Sequence, residues 1–420
     1  MKYQASWLIA PLAVAIGLAS LAGWWALRPR PTLTGVDRLV ALGRYEAAET
    51  QLREYLRAYP GDEPARVMLA RISIDRPDPN PALALEQIAG IRPANPHQAA
   101  LLKAIEGGAR FGELHYDEAE AAWLEALRLE PSIAEVGWKL LNIYALQGRD
   151  EDSRRLALRL FAHEPDPHDR VQLLLQLIRL DAHPIEAGSV VHGLAPVVLA
   201  NPGDVRSTLA LGGAQIRSGR AAEGLSLLRG AVESHAEDLD AWSTYLDGLI
   251  EVGELDELER ALGRIPPSLA ASPRFDEARG WLAAQGRDLD RAAIAYGRAL
   301  EARPADARLA YRFRSVLRQG GKAPGFEGLE SRLDAIAKYP DRARELYDQV
   351  NALPDLGLRS HPELFGEVAA TLGSVGRNDE AEAWSSLVGN AVRGIELPRG
   401  PDRATSPAPT TGPGTGLKDG

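Results

Sequence analysis

Ala119–Pro131 reads AEAAWLEALRLEP, and this stretch decides the fold because the chain repeats its plan. AETQLREYLRAYP ends at Pro60, SRRLALRLFAHEP at Pro165 and AAIAYGRALEARP at Pro304. Each carries a small residue twelve positions before its proline: Ala48, Ala119, Ser153 and Ala292. Gly43 and Gly148 stand five residues before that small position, Gly219 and Gly253 keep the phase, and Gly376 with Ala381 repeats the step. Related breaks fall at Pro93, Pro202, Pro266-Pro267 and Pro340, so Pro60 to Pro340 is 280 residues in eight steps of about 35.

The physical content is a helix, a tight turn at a glycine, a second helix and a proline stop. Glycine takes the left-handed conformation that ends the first helix. Small residues let two helices cross closely, and proline cannot continue the hydrogen-bond ladder. Apolar positions recur at three- and four-residue spacing, as in Trp138, Leu141, Tyr144, Ala145 and in Leu156, Leu160, Phe161. No stretch alternates as a strand does.

This pattern, with the aromatic positions Trp123, Tyr144, Trp242 and Tyr296, resembles the tetratricopeptide repeat family. The resemblance runs from about Thr32 to Arg393. Units around Ile72–Pro93, Ile185–Pro202 and Lys322–Pro340 are degenerate. It implies an all-α, right-handed superhelical solenoid of nine or ten helical hairpins over residues 32–397, with first helices lining a concave groove. It also implies a binding scaffold, without naming a ligand.

Before the array, Trp7–Leu27 holds 21 residues without a charge, enough at about 1.5 Å per residue to span a bilayer core of about 30 Å. Trp7 at one end and Trp24 with Trp25 at the other suit the two interfaces, and Arg28 and Arg30 with Pro29 and Pro31 close the segment. Residues 1–31 are therefore expected to be a transmembrane anchor; the competing reading is a signal peptide cleaved after Ser20-Leu21-Ala22. With arginine outnumbering lysine 42 to 6, as in GC-rich bacterial genomes, the expected place is a bacterial inner membrane, single-pass. The basic-residue bias favours a cytoplasmic array, the signal-like start an exported one, and the balance leans to the extracytoplasmic side. Residues 398–420, rich in Pro, Gly, Ser and Thr, read as a disordered tail.

Across 420 residues, 48 basic and 58 acidic side chains give a net charge of -10, which argues against a nucleic-acid partner. Zero cysteines exclude disulfides, thiolate metal sites and thiol nucleophiles. No phosphate loop, G-x-S-x-G, HExxH or GxGxxG occurs. His163 and His168, with Glu164 and Asp166, read as an exposed turn and not a metal site. Glu113, Asp117, Glu118 and Glu120 read as a helix start, where acids suit the macrodipole. No catalytic residue, cofactor or metal is expected.

The candidate site is the groove. By repeat phase its last strong units should present Arg274, Trp281, Arg308, Tyr311 and Arg318. Trp138 and Asn142 hold the equivalent face near the middle, followed by Arg206 and Arg217. Arginines with aromatics dominate interface hot spots, and arginine suits a carboxylate or acidic peptide. The alternative is that Trp281 and Tyr311 pack between helices. The Lys/Asn clamp of chaperone-tail-binding members is not in phase here. The leading expectation is a non-catalytic, membrane-anchored scaffold for a protein or peptide segment. A second is an envelope-assembly or secretion accessory factor that self-associates as a homo-oligomer. Among such factors the zinc-binding type of lipopolysaccharide assembly is excluded by the missing cysteines.

Overall fold

A helix leaves its first backbone N–H groups without partners, and this chain supplies a cap at a fixed interval. Asp204, Asp238, Ser272 and Asp306 stand 34 residues apart, and their side chains accept from the N–H groups of Ser207, Ala241, Arg274 and Leu309. The turn between helices keeps the same step from Gly219 to Gly253. Gly148, Gly219 and Gly253 are all left-handed, as are Gly43 and Gly376. The backbone closes there with a six-residue bond, such as Arg149 N–H to Tyr144 and Arg220 N–H to Gln215, both 2.8 Å. The working period is thus 34, and the sequence average of 35 was lengthened by irregular units.

The computed structural model describes Leu33, residues 35–353 and residues 361–392. Among these the regular structure is helical throughout, without strands. The helices succeed one another as α1 (Val36–Ala41) and α2 (Tyr45–Ala58), α3 (Glu63–Asp75) and α4 (Pro81–Ile88), α5 (Pro96–Gly112) and α6 (Tyr116–Leu129). Then come α7 (Ala134–Leu146) and α8 (Asp150–His163), α9 (Pro167–Ala182) and α10 (Ala187–Ala200), α11 (Val205–Arg217) and α12 (Ala221–Ser234). The series ends with α13 (Leu239–Val252) and α14 (Leu255–Arg264), α15 (Asp276–Gln285) and α16 (Leu289–Ala302), α17 (Ala307–Arg318) and α18 (Glu327–Asn351), α19 (Pro362–Ser374) and α20 (Asn378–Val392). Each pair packs as a hairpin except α9 and α10: α10 packs on α11, and α9 packs on α18.

Inside a hairpin the helices cross where one side chain is small. Ala48, Ala119, Ser153 and Ala292 are completely buried, as their spacing required. One turn after Ala119 on α6, Trp123 is 1% exposed and lies across the hairpin against α5, where its indole N–H donates to the Ala104 carbonyl at 3.1 Å. A Cβ added to Gly107 would lie 2.4 Å from that indole, and one added to Gly280 would lie 2.9 Å from the Tyr296 ring. Any larger residue forces the helices apart.

The chain divides into two compact units, Met1–Glu130 and Pro131–Gly420. The first unit carries a core of Leu52, Leu69 and Ile72 between its leading helices, continued by Ala84, Ile105 and Ala109. The second is filled by Leu228, Trp242, Tyr245, Leu249 and Phe275. Pro340, expected to stop a helix, lies inside α18. Its missing N–H is overridden by packing: Leu329, Leu333, Ile336, Tyr339, Ala343, Leu346 and Val350 are all buried, at helical spacing on both sides of the proline. That stripe faces α9, where the second helix of the hairpin would otherwise sit.

The end of the second unit is fastened to its beginning by charge. Arg154 at the start of α8 is 3% exposed. It donates to both oxygens of Glu380 on α20, at 2.9 and 3.0 Å, and to Asp181 at the end of α9, at 2.7 Å. Tyr339 donates to the other Asp181 oxygen at 2.7 Å, and Arg377 stands 3.5 Å from Glu380 and 3.6 Å from Asp181. Burial pushes the Glu380 carboxyl above its ordinary range although Arg154 and Arg377 pull the other way. Arg377 also reaches Glu151 at 3.7 Å, and Asp150, pushed up to about 6 by burial, faces the same two arginines.

Two consequences are measurable. At Leu114 and Arg287 the left-handed turn falls on a non-glycine residue (φ 64 and 61); at the second, Gly286 comes one position too early and keeps φ -76. Relief of a left-handed side chain, about 1–2 kcal/mol, exceeds glycine's added unfolded-state entropy, about 0.5–1 kcal/mol. Arg287→Gly should therefore raise the urea midpoint modestly, whereas Arg287→Ala should not. Arg154→Ala removes the direct partner of buried Glu380 and half-buried Asp181, leaves them only Arg377 at 3.5 and 3.6 Å, and should cost about 3 kcal/mol. Hydrogen exchange should then accelerate first in α18 and α20; unchanged protection there would show that the clasp does not hold them.

Candidate functional site

In the second unit the first helices α11, α13 and α17, and the 3-10 turn Pro273–Phe275 that leads into α15, present positions that recur every 34 residues, and these carry most of the arginines singled out by phase. Arg206, Asp240, Arg274 and Arg308 occupy one such position in four successive hairpins. Opposite charges there find each other. Arg206 pairs with Asp240 at 2.5 Å and with the cap residue Asp238 at 3.2 Å, and Arg274 pairs with Asp240 from the other side. Asp240 thus bridges three hairpins. Arg308 meets like charge at Arg274, and turns instead to Glu277 at 3.7 Å and Glu251 at 4.0 Å.

Glu277 is the centre of a second cluster. It is 1% exposed, at the start of α15, and accepts from Arg303 and Arg312 as well as facing Arg308. A buried carboxylate at a helix N-terminus gains from the macrodipole, but three guanidinium groups supply most of its compensation. Asp247, half-buried on α13, faces the same cluster. Burial and the Glu277 charge push its carboxyl up to about 6, against Arg303, Arg308 and Arg274.

The other expected positions divide. Trp281 is half-buried and packs on the core that contains Trp242, Phe275 and Ala278, so its surface is largely spent inside the protein. Tyr311 is 68% exposed and lines a shallow depression on α17 with Arg314, Ser315, Arg318 and Gln319. Trp138 is half-buried on α7 beside a small pocket shared with Leu160, His163 and Leu173, while Asn142 is exposed on the same helix. Arg217 is the exposed last residue of α11, where a cation suits the helix dipole. Phase therefore groups Arg206, Arg274 and Arg308 in one network and Tyr311 with Arg318 in one patch; it does not join Trp138 and Asn142 to either.

Sequence reading missed Asp240, Asp247, Glu277, Arg303 and Arg312. The 34-residue phase could have found Asp240, since it falls between Arg206 and Arg274. The others depend on which side chains are drawn inward. His163, Glu164, Asp166 and His168 form a capped turn: Asp166 accepts from His168 and Asp169, and Glu164 accepts from the Asp166 N–H. Glu113 and Glu118 are paired with Arg110. Among the described residues no group of three His, Asp or Glu is placed to hold a metal ion.

This geometry can be set beside known proteins. Tetratricopeptide repeat models match residues 32–72 and 107–169. The first match covers α1, α2 and most of α3; the second runs from the end of α5 into α9. No curated protein matches the sequence. The solved structure of the "APC/C hetero-tetramer Cut9-Hcn1" aligns over 84% of this chain and 80% of its own, at 13% identity and a TM-score of 0.28. At that level the alignment carries no partner or activity across. The anchor positions Trp7, Trp24, Trp25, Arg28 and Arg30, and the tail 398–420, lie outside the described residues. Within the described residues no helix is long and apolar enough to cross a membrane.

Asp247 gives this site a pH signature. A carboxyl whose pKa is raised on folding binds more protons in the native state, so stability falls as pH rises from its unfolded value near 4 through about 6. Asp247→Asn should reduce the slope of Tm with pH over that window, the remainder belonging to Asp150, pushed up to about 6, and to Glu380, and should leave stability at pH 4 nearly unchanged. A wild-type slope retained in the variant would assign the titration to another group.

Proposed function

We propose that the chain is a non-catalytic scaffold that binds a protein or peptide segment along the first helices of its repeats. In this reading, residues 1–31 tether it as a single-pass protein to a bacterial inner membrane, with the array on the extracytoplasmic side. The observation that carries the binding role is the repeat itself. Tetratricopeptide models match two stretches, and such repeats generally mediate protein–protein contact. The 34-residue phase of caps continues beyond them as far as Asp306. Stacked repeats multiply surface in proportion to their number, which favours extended partners over small substrates. The charge-free run Trp7–Leu27 supports the tether.

The test uses the full chain in its membrane with a photo-crosslinking residue placed singly. Asn142 and Arg217 report from first helices; Arg260 and Arg298 report from the exposed surfaces of second helices. One protein crosslinked from the first pair of positions and not from the second is the expected result. Equal labelling from all four, or none from any, would remove the groove as the binding surface.

A further inference from the structure

The helix α17 has one face spent and one face free. Leu309, Ala310, Phe313 and Val316 are buried, while Tyr311, Arg318 and Gln319 form the opposite, exposed stripe, with Ser315 between them. From residue 307 to residue 326 the chain has no acidic side chain but carries Arg308, Arg312, Arg314, Arg318 and Lys322. The structure sorts these five cations. Arg308 and Arg312 are drawn to Glu277. Arg314 pairs at 2.8 Å with Asp334, whose side chain is 80% exposed, so this contact is solvent-screened and readily exchanged. Arg318 has no carboxylate within ion-pair distance among the described residues, and Lys322 offers a second such cation two residues past the helix-ending turn at Gly320.

An exposed phenol ring that lines one shallow depression with a free and a loosely held guanidinium is a surface of defined chemistry. The ring offers apolar area with little rotamer entropy to lose, and the guanidinium groups offer forked donors to carboxylates. The patch is locally positive although the chain as a whole carries a net charge of -10, so it favours an acidic partner segment over a basic one. It is also short. Twelve residues of helix extend about 18 Å, too little cationic length to hold a nucleic acid against the surrounding acidic surface.

We propose that the outward face of α17 docks an acidic segment of the partner protein, with Tyr311 taking an apolar side chain and Arg318 and Arg314 its carboxylates. The assignment rests on the scaffold reading above and specifies its partner chemistry. It also separates the arginines of the first helices into two kinds: Arg206, Arg274 and Arg308 hold hairpins to one another, and Arg314 and Arg318 face outward.

The experiment measures fluorescence anisotropy of three labelled probes with the full chain in detergent. One is a short amphipathic peptide with glutamates on one face and leucines on the other. The second replaces each glutamate by lysine, and the third is a short single-stranded RNA. The glutamate peptide should bind, more weakly as salt rises, and the other two should not. Tyr311→Ala and Arg318→Glu should each weaken it about tenfold or more, whereas Arg318→Lys, which keeps the charge and loses the forked donors, should weaken it less than Arg318→Glu. Both side chains are exposed, so the far-UV circular dichroism of the variants should match wild type. Failure of the glutamate peptide to bind, equal binding of the lysine peptide, preference for RNA, or indifference to both substitutions overturns the proposal. The scaffold reading fails separately. A partner still crosslinked at Asn142 or Arg217 in the Arg318→Glu chain keeps the scaffold and dismisses α17, whereas loss of all crosslinks in the wild-type chain dismisses the scaffold.

Discussion

The close crossing of two helices at a small residue is the constraint from which the rest of this structure follows. Where Trp123 lies over Gly107, or Tyr296 over Gly280, the two backbones come near enough that one Cβ would collide with a ring. Such a crossing can be kept only if the turn between the helices has a fixed length. That fixes where the left-handed residue stands, and with it the cap that starts the next hairpin. The 34-residue step is thus a packing dimension expressed along the chain. It also sets which side chains become neighbours between hairpins, since residues one period apart meet on successive first helices.

Charge then does two different things on this frame. In the Arg206–Asp240–Arg274 series, partly exposed pairs align neighbouring hairpins, and each pair adds little stability because water competes for both ions. Around Arg154 and Glu277 the ions are withdrawn from water, where the desolvation cost is large and only near-complete pairing offsets it. The buried clusters therefore act as a test of correct assembly: a mis-seated α15 or α20 leaves an unpaired charge. What neither arrangement uses is the outer stripe of α17.

Much of this frame was legible beforehand, for local reasons. A glycine at a left-handed turn, a small residue at a crossing and a proline after a helix each act within a few residues, so Gly148, Ala119 and Pro131 could be read directly. Gly286 shows the limit: the residue that marks the turn lies beside it, and the strained position falls on Arg287. Pro340 shows another. Local chemistry makes it a stop, and only the buried stripe from Leu329 to Val350 reveals that α18 runs through it. Of the groove positions, phase placed Arg206, Arg274 and Arg308 on equivalent turns, but it could not show that Asp240 and Glu277 already occupy them. Trp281 was equally consistent with core and with groove, because its spacing is the same in both.

The clasp between Arg154 and Glu380 joins residues 226 positions apart. At about 5–20 residues per second, a ribosome needs about 10–45 s to make the chain between them. Until α18 is made, α9 presents the bare apolar face that α18 will cover, and until α20 is made Arg154 and Asp181 remain without Glu380. The early hairpins of this unit, rich in local contacts, can form as they emerge, whereas its closure waits for nearly the whole chain. The newly made protein therefore passes through a long-lived open form with an uncovered helix. In this interval it is most exposed to proteases and to helices of other nascent copies, and helper proteins that bind apolar helical faces would act on it then.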